Sequence, residues 1–169
     1  MKNKKIWIIV LLMSVSTFTF AQRFAYVDSE AILQRIPEYT AALKQLDDLS
    51  AEWQKDVDAQ YVEIEEMYQA YQEDQANMNE QMRRRREDMI VNKEKEVREL
   101  QRSRFGFEGD LFKEREKLLK PIEDRVEKAI QAVAERQELD FILDKGAESF
   151  LYSNPKLDRS DDVIKELGY

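Results

Sequence analysis

Residues 43–71 read LKQLDDLSAEWQKDVDAQYVEIEEMYQAY, and their apolar side chains recur at steps of three or four. Eight steps span 28 residues, a mean of 3.5, which is the period of a coiled coil. No glycine or proline occurs from Glu38 to Ala76. The positions are Leu43, Leu46, Leu49, Trp53, Val57, Tyr61, Ile64, Tyr68 and Tyr71. The stretch therefore predicts one long helix whose apolar seam needs a partner.

The partner helix follows in the same chain. The pattern fades over residues 74–79 and resumes from Met82 to Val133, with Asn79 as the predicted N-cap. The simplest arrangement is an antiparallel helical hairpin with its tip near residues 76–80. Gly106 and Gly109 interrupt the returning helix. We expect a flexible point there, because each glycine inside a helix costs about 1 kcal/mol relative to alanine.

The charge distribution favours the same hairpin. Residues 44–80 carry a net charge of −9, whereas residues 81–104 carry +4. Folding about residue 78 predicts these pairs: Arg83, Arg84, Arg85 and Arg86 with Glu73 and Asp74; Lys93 and Lys95 with Glu63, Glu65 and Glu66; and Arg98 and Arg102 with Asp58 and Asp56. Each exposed pair contributes only about 0.2–1 kcal/mol, but as a set they favour one antiparallel register.

The two ends of the chain have a different pattern. Residues 23–28 and 139–144 predict two short strands, and residues 149–153 predict a third that forms a hairpin with the second. A last helix should end at Gly168. We therefore predict a mostly α member of the α+β class, with a long antiparallel coiled-coil hairpin on a small β-strand body. So small a sheet is marginal alone, which favours oligomerisation through the body.

The first residues have the features of a signal peptide. Lys2, Lys4 and Lys5 precede an apolar run, and Thr19-Phe20-Ala21 predicts cleavage before Gln22. The alternative is a retained anchor, but the run is shorter than the ~20 residues of a spanning helix. Cleavage would remove three lysines and change the net charge from −8 to −11. Residues 22–169 then form one domain, with a body of residues 22–40 and 120–169 and an arm of residues 41–119.

The composition excludes several function classes. The chain contains no histidine and no cysteine, so imidazole or thiolate zinc sites and Ser–His or Cys–His nucleophile pairs cannot form. It also lacks a glycine-rich phosphate loop. We expect no catalytic residue, no metal and no cofactor. The four consecutive arginines spread over about 300° of a helix, so they cannot form a phosphate-binding stripe. An acidic chain is also repelled by nucleic acid and by anionic lipid.

The apolar residues of the arm suggest contacts with other proteins. Methionine adapts to many surfaces, and tyrosine combines apolar area with a hydrogen-bonding hydroxyl. The candidate residues are Met67, Tyr68, Tyr71, Met78, Met82, Met89, Phe105 and Phe107. The alternative is that these side chains fill the hairpin seam, which should hold for about half of them. Two helices cannot bury them all.

The chain resembles the OmpH-like (Skp) family of periplasmic chaperones. The resemblance is carried by AYVDSE (25–30) through IPEY (36–39), by LLKPI (118–122) leading to KAI (128–130), and by FILD (141–144), LY (151–152) and the segment 157–167. It implies a periplasmic homotrimer of jellyfish-like shape, in which strands of three chains form a shared body. The body residues would be Phe24, Tyr26, Phe141, Leu143 and Leu151.

The resemblance also implies a function. The leading hypothesis is an ATP-independent holdase that keeps unfolded outer-membrane proteins from aggregating on their way to the outer membrane. The arginine cluster at the tip would pair with the acidic outgoing helix and attract acidic stretches of a client. Family members have basic tips, whereas this chain is acidic, which argues against membrane contact. The alternative hypothesis is a structural coiled-coil spacer or adaptor of the cell envelope.

Overall fold

The computed structural model describes residues 23–147 and 150–169, so the predicted signal peptide lies outside the described residues. The elements are β1 (Phe24–Val27), α1 (Ser29–Gln34), α2 (Pro37–Asp74), α3 (Glu80–Phe105), α4 (Asp110–Arg136), β2 (Phe141–Asp144) and α5 (Ser160–Glu166). The predicted fold class, mostly helical with a small sheet, is confirmed. None of the helices described is long and apolar enough to span a membrane.

The chain forms two compact units. Of the described residues, the first contains residues 23–32 together with those of Lys128–Tyr169, and it holds the strands. The second, Leu33–Glu127, holds the helical hairpin. Each unit is described below by itself.

Helix α2 is the longest element of the hairpin unit. It begins at Pro37, where the fixed φ of proline suits the first helical position and its missing N–H costs nothing. Its 38 residues correspond to about 57 Å at 1.5 Å per residue. Its buried side chains are Ala42, Leu46, Val57 and Ile64. These lie on one stripe, as the sequence pattern predicts.

The hairpin turns where the sequence predicts its tip. A single 3₁₀ turn, Gln75–Asn77, follows α2, and Met78 is extended. Asn79 then caps α3, because its side-chain oxygen accepts a hydrogen bond of 2.9 Å from the N–H of Met82. The predicted tip and the predicted N-cap are therefore confirmed.

A narrow apolar seam joins α2 to α3. Val57, Ile64 and Val97 form a buried cluster, against which Leu100 and Phe105 pack. Lys93 Nζ lies 2.6 Å from Glu63 Oε2 beside this seam, which confirms that predicted cross-hairpin pair. The seam and this ion pair together define the antiparallel arrangement.

The predicted pairing of Arg98 and Arg102 with Asp58 and Asp56 is wrong. Arg98 pairs instead with Glu94 of its own helix, at 3.4 Å, and Arg102 pairs with Glu99, at 3.9 Å. Tyr61 of α2 faces Gln101 of α3 across the hairpin. Arg98 therefore faces a part of α2 that lies several residues closer to the tip than Asp58. For Arg98, an acid four residues away on the same helix is the nearer partner.

The returning segment is two helices rather than one. α3 ends at Phe105, and the N–H of Gly106 donates to the carbonyl of Arg102 at 2.8 Å. A Cβ at Gly106 would lie 2.3 Å from that same oxygen, so a side chain there requires the backbone to shift. Glu108 has a φ of 55°, and α4 begins at Asp110. The predicted flexible point in one helix is therefore corrected to a defined turn between two helices.

Helix α4 continues the return beside the first turns of α2. Arg125 Nη2 lies 3.6 Å from Glu38 Oε1. Leu119, Ile122 and Val126 are buried at steps of three and four, the spacing of one helix face. Within the hairpin unit, α2 is thus accompanied by α3 along its distal part and by α4 near its start.

The other unit is built on a two-stranded parallel sheet. β1 pairs with β2 in the register Phe24 with Phe141 through Val27 with Asp144. The predicted third strand is wrong for residues 150–153, which are not a strand; Ser149 lies outside the described residues. A further bridge joins Asp158 to Tyr26 of β1.

Asp144 connects the end of β2 to the start of α1. Its carboxylate accepts hydrogen bonds from the Ser29 hydroxyl at 2.6 Å, the Ser29 N–H at 3.2 Å and the Gly146 N–H at 3.0 Å. Partial burial alone would raise the pKa of Asp144, but these hydrogen bonds outweigh it and the pKa lies below its usual value. Asp144 therefore remains ionised at neutral pH and fixes this corner of the unit.

Replacing Ile64 with alanine should destabilise the hairpin by about 2–5 kcal/mol, because the side chain is buried against Val57 and Val97 and its loss leaves a cavity. Urea unfolding followed by circular dichroism measures the change. The matched control is Val62→Ala on the same helix, where the side chain is exposed and a change within about 0.5 kcal/mol is expected. Equal effects of the two substitutions would contradict the seam.

Candidate functional site

The eight predicted arm residues all lie in the hairpin unit, but in different environments. Met78 is buried, and Met67, Tyr71 and Phe105 are half-buried. The exposed fractions of the others are 37% for Tyr68, 50% for Met82, 52% for Met89 and 96% for Phe107. The expectation that about half would face solvent therefore agrees with the structure.

The tyrosines of α2 reach across the hairpin. The hydroxyl of Tyr68 donates to Glu94 at 2.8 Å, that of Tyr71 donates to Glu87, and that of Tyr61 donates to Gln101 at 3.3 Å. The sequence analysis missed this role. The sequence signals these hydrogen bonds only by placing tyrosines at seam positions of α2 and acids on α3. The signal can be used only when the register of the two helices is known.

These hydrogen bonds alter the ionisation of two tyrosines. The hydrogen bond to Glu94 raises the pKa of Tyr68, with desolvation and the negative charge of Glu94 adding to it. The hydrogen bond to Glu87 raises the pKa of Tyr71 in the same way. A tyrosine that donates to a carboxylate loses its proton less readily, since ionisation would place two negative charges together. Both hydroxyls therefore act as neutral donors.

The tip carries a methionine-lined cavity of about 440 Å³. Its lining residues are Asp74, Asn77, Met78, Met82, Arg85, Arg86 and Met89. It unites three of the predicted arm residues with half of the arginine cluster. Both helices of the hairpin contribute to it, so the cavity depends on the turn between them.

The arginine cluster divides into two pairs. Arg83 Nε donates to the carbonyl of Met78 at 3.2 Å, and Arg84 pairs with Glu80. Arg85 and Arg86 line the tip cavity, and within residues 23–147 and 150–169 neither makes an ion pair. The predicted pairing of the cluster with Glu73 and Asp74 is therefore wrong in the part of the chain described. Helix geometry explains the division, because successive side chains point about 100° apart.

A second cavity, of about 420 Å³, surrounds the turn between α3 and α4. Its lining residues are Leu46, Asp47, Ser50, Phe105, Gly106, Phe107, Glu108, Leu111, Phe112 and Arg115. Phe107 and Phe112 are exposed at its rim. The sequence analysis did not select Phe112, which lines this cavity just after the turn.

An ionic and aromatic cluster holds this turn in place. The guanidinium carbon of Arg104 lies 4.5 Å from the centre of the Trp53 ring, and Arg104 Nη1 lies 2.9 Å from Asp110 Oδ2. Phe105 meets Trp53 edge-on, with ring centres 6.4 Å apart. Arg104 thus links the last turn of α3 to the first residue of α4. The sequence predicted Trp53 only as a seam residue.

The predicted body residues lie in the strand-containing unit. The rings of Phe24 and Phe141 stack across the sheet with centres 6.1 Å apart and planes 11° apart, and both remain exposed. Tyr26 is buried, Leu143 is half-buried, and Leu151 is fully exposed. The unit that contains the sheet therefore exposes the apolar side chains of Phe24, Phe141 and Leu151.

Raising the pH should weaken the hairpin. The folded-state pKa values of Tyr68 and Tyr71 lie above the ordinary value of 10.0. The stability they contribute is therefore fully present below about pH 10 and is lost as the pH rises through the folded pKa. Urea midpoints of the wild type and of Y68F/Y71F should therefore differ at neutral pH and converge as the pH rises above about 10.

Comparisons with known proteins agree with this architecture. The family model described as "Outer membrane protein (OmpH-like)" matches residues 23–167. A solved structure from Caulobacter crescentus CB15, provisionally assigned as an outer membrane chaperone (OmpH-like), has the same fold with a TM-score of 0.69. It is 14% identical, over 86% of this chain and 83% of that one. No curated protein matches the chain. The match over nearly all of the described residues shows that the chain belongs to the OmpH-like family.

Proposed function

We propose that this protein is an ATP-independent holdase chaperone of the periplasm, whose clients are unfolded outer-membrane proteins. Its family membership supports a chaperone role, as does the assignment of the Caulobacter protein that shares its fold. The sequence contains no glycine-rich phosphate loop, and it lacks histidine and cysteine. These features suit a binding protein that acts without nucleotide hydrolysis.

The exposure of large apolar side chains on a highly charged hairpin carries the proposal. Met82, Met89, Phe107 and Phe112 are exposed, although charged residues make up 37% of the chain. Scattered apolar side chains give many weak contacts, and methionine adapts to unrelated sequences. The surrounding charge keeps the complex soluble. Such a surface suits transient binding of an unfolded chain better than one fixed partner.

We further propose that the protein assembles as a homotrimer through the unit that contains the sheet. A two-stranded parallel sheet is marginal alone, and parallel sheets are normally covered on both faces. The exposed pair Phe24 and Phe141, together with Leu151 and Tyr152, is the surface that neighbouring copies would cover. We infer the number of copies, three, from the resemblance to the chaperone family.

Sedimentation velocity tests the assembly. The chain from Gln22 onwards should sediment with the mass of three copies, and F141Q/L151Q should dissociate it or raise its dissociation constant at least tenfold, because both substitutions place polar groups in an apolar contact. The control is F107Q, an equally polar change in the hairpin unit. A monomer at micromolar concentration, or equal effects of both variants, would contradict the proposed interface.

Aggregation of a client tests the chaperone function. A urea-unfolded outer-membrane β-barrel protein is diluted into buffer with and without the chain from Gln22 onwards, and light scattering is followed. We expect suppression near one oligomer per client, without nucleotide and unchanged by ATP and Mg²⁺. Unchanged scattering over a wide excess would reject the holdase and favour the alternative, a coiled-coil spacer with one specific partner.

Matched variants locate the contribution of the hairpin. M82Q/M89Q/F107Q removes three exposed apolar side chains and should require several-fold more protein for half-suppression. N92Q/K95Q/E96Q alters three exposed polar positions of α3 without changing the net charge, and it should suppress aggregation like the wild type. Equal activity of the two variants would show that the client binds elsewhere.

A further inference from the structure

The tip cavity combines apolar and cationic side chains. Met78, Met82 and Met89 supply an adaptable apolar wall, and Met82 and Met89 are exposed. Arg85 and Arg86 stand beside them without an ion pair to the described residues. The volume, about 440 Å³, falls within the range of small-ligand pockets. It is large enough for one bulky side chain together with its neighbouring backbone.

The charge of the lining favours an anion. Arg85 and Arg86 face the single acid Asp74, which itself makes no ion pair within the described segments. The lining therefore carries a net charge of +1 in a chain with a net charge of −8. A guanidinium presents its donors in a planar fork that matches a carboxylate. An incoming carboxylate would satisfy both arginines without displacing an existing partner.

The surroundings of the cavity favour a peptide over a membrane. Glu87 and Asp88 directly follow the two arginines in the sequence, and Glu73 and Glu80 also lie within residues 73–88, so the wider tip is not basic. An extended anionic surface would face these acids at the same time as the arginines, and the repulsion would offset the attraction. A single peptide segment needs to meet only the lining of the cavity.

We propose that the tip cavity binds a client segment in which a large apolar side chain stands next to an acidic residue. The apolar side chain enters among the methionines, and the carboxylate pairs with Arg85 and Arg86. The inference rests on the proposed function for the identity of the client, but it makes a separate claim about local sequence. It assigns to the arm a preference for acidic–apolar segments at its tip, in addition to sequence-independent contacts along its length.

Short labelled peptides test this preference directly. The probe is a ten-residue Gly/Ser peptide that carries one phenylalanine between two glutamates, and its fluorescence anisotropy is followed as the full mature chain is added. Replacing both glutamates with glutamine, or the phenylalanine with alanine, should weaken binding on the order of tenfold, since each removes one half of the recognition. Equal affinity for all three peptides would overturn the proposal, as would no binding of the probe.

A matched pair of variants locates the site. R85Q/R86Q should weaken binding of the probe about tenfold, because it removes the two unpaired guanidinium groups. R98Q/R102Q makes the same change of charge on the same helix, at arginines that already pair with Glu94 and Glu99, and it should bind like the wild type. Equal losses in both variants would indicate general attraction by net charge and overturn the assignment.

The remaining outcomes separate this inference from the proposed function. If the protein suppresses aggregation but does not bind the probe, the tip assignment fails and the chaperone function stands. If it binds the probe through Arg85 and Arg86 but does not suppress aggregation, the tip assignment stands and the holdase fails. Binding to vesicles of anionic lipid without binding of the probe would assign the cavity to a membrane surface. A change of oligomeric mass in R85Q/R86Q would assign it to a second copy; either result overturns the proposal.

Discussion

The hairpin unit depends on one narrow apolar contact, the packing of Val57 and Ile64 of α2 against Val97 of α3. Two helices can bury only the stripe where they face each other, and no third layer covers the rest in this pair. Several large apolar side chains off that stripe therefore remain exposed to solvent. The exposure of Met82, Met89 and Phe107 is a direct consequence of building an arm from a single seam. In a more compact fold the same residues would belong to a core.

The edges of the seam are held by polar contacts rather than by more apolar area. Tyr68 and Tyr71 donate to carboxylates of α3, and Lys93 pairs with Glu63 across the same gap. Each exposed contact contributes little alone, but each is satisfied only in one register. The polar contacts thus fix the register of the two helices, and the apolar seam holds the helices together. This division leaves the outer faces of both helices free for solvent or for a bound polypeptide.

The sequence predicts the parts of this structure that depend on short-range rules. The 3.5-residue period locates the hairpin, and Asn79 marks its turn, because caps and apolar spacing act within one or two helical turns. The sequence analysis fails at two other places. Arg98 pairs with Glu94 rather than with Asp58, and residues 150–153 do not form the predicted strand. Neither outcome can be decided without the three-dimensional arrangement of the chain.

The arginine cluster shows how a fold assigns different roles to identical neighbours. Four consecutive residues on a helix face four directions, so the backbone, not the composition, decides what each one meets. Arg83 meets the carbonyl of Met78, and Arg84 meets Glu80, whereas the next two meet only the tip cavity. A basic run in an acidic chain is therefore neither one patch nor merely a set of solvated charges. It becomes two structural contacts at the turn of the hairpin and two guanidinium groups whose hydrogen-bonding capacity remains available beside an apolar wall.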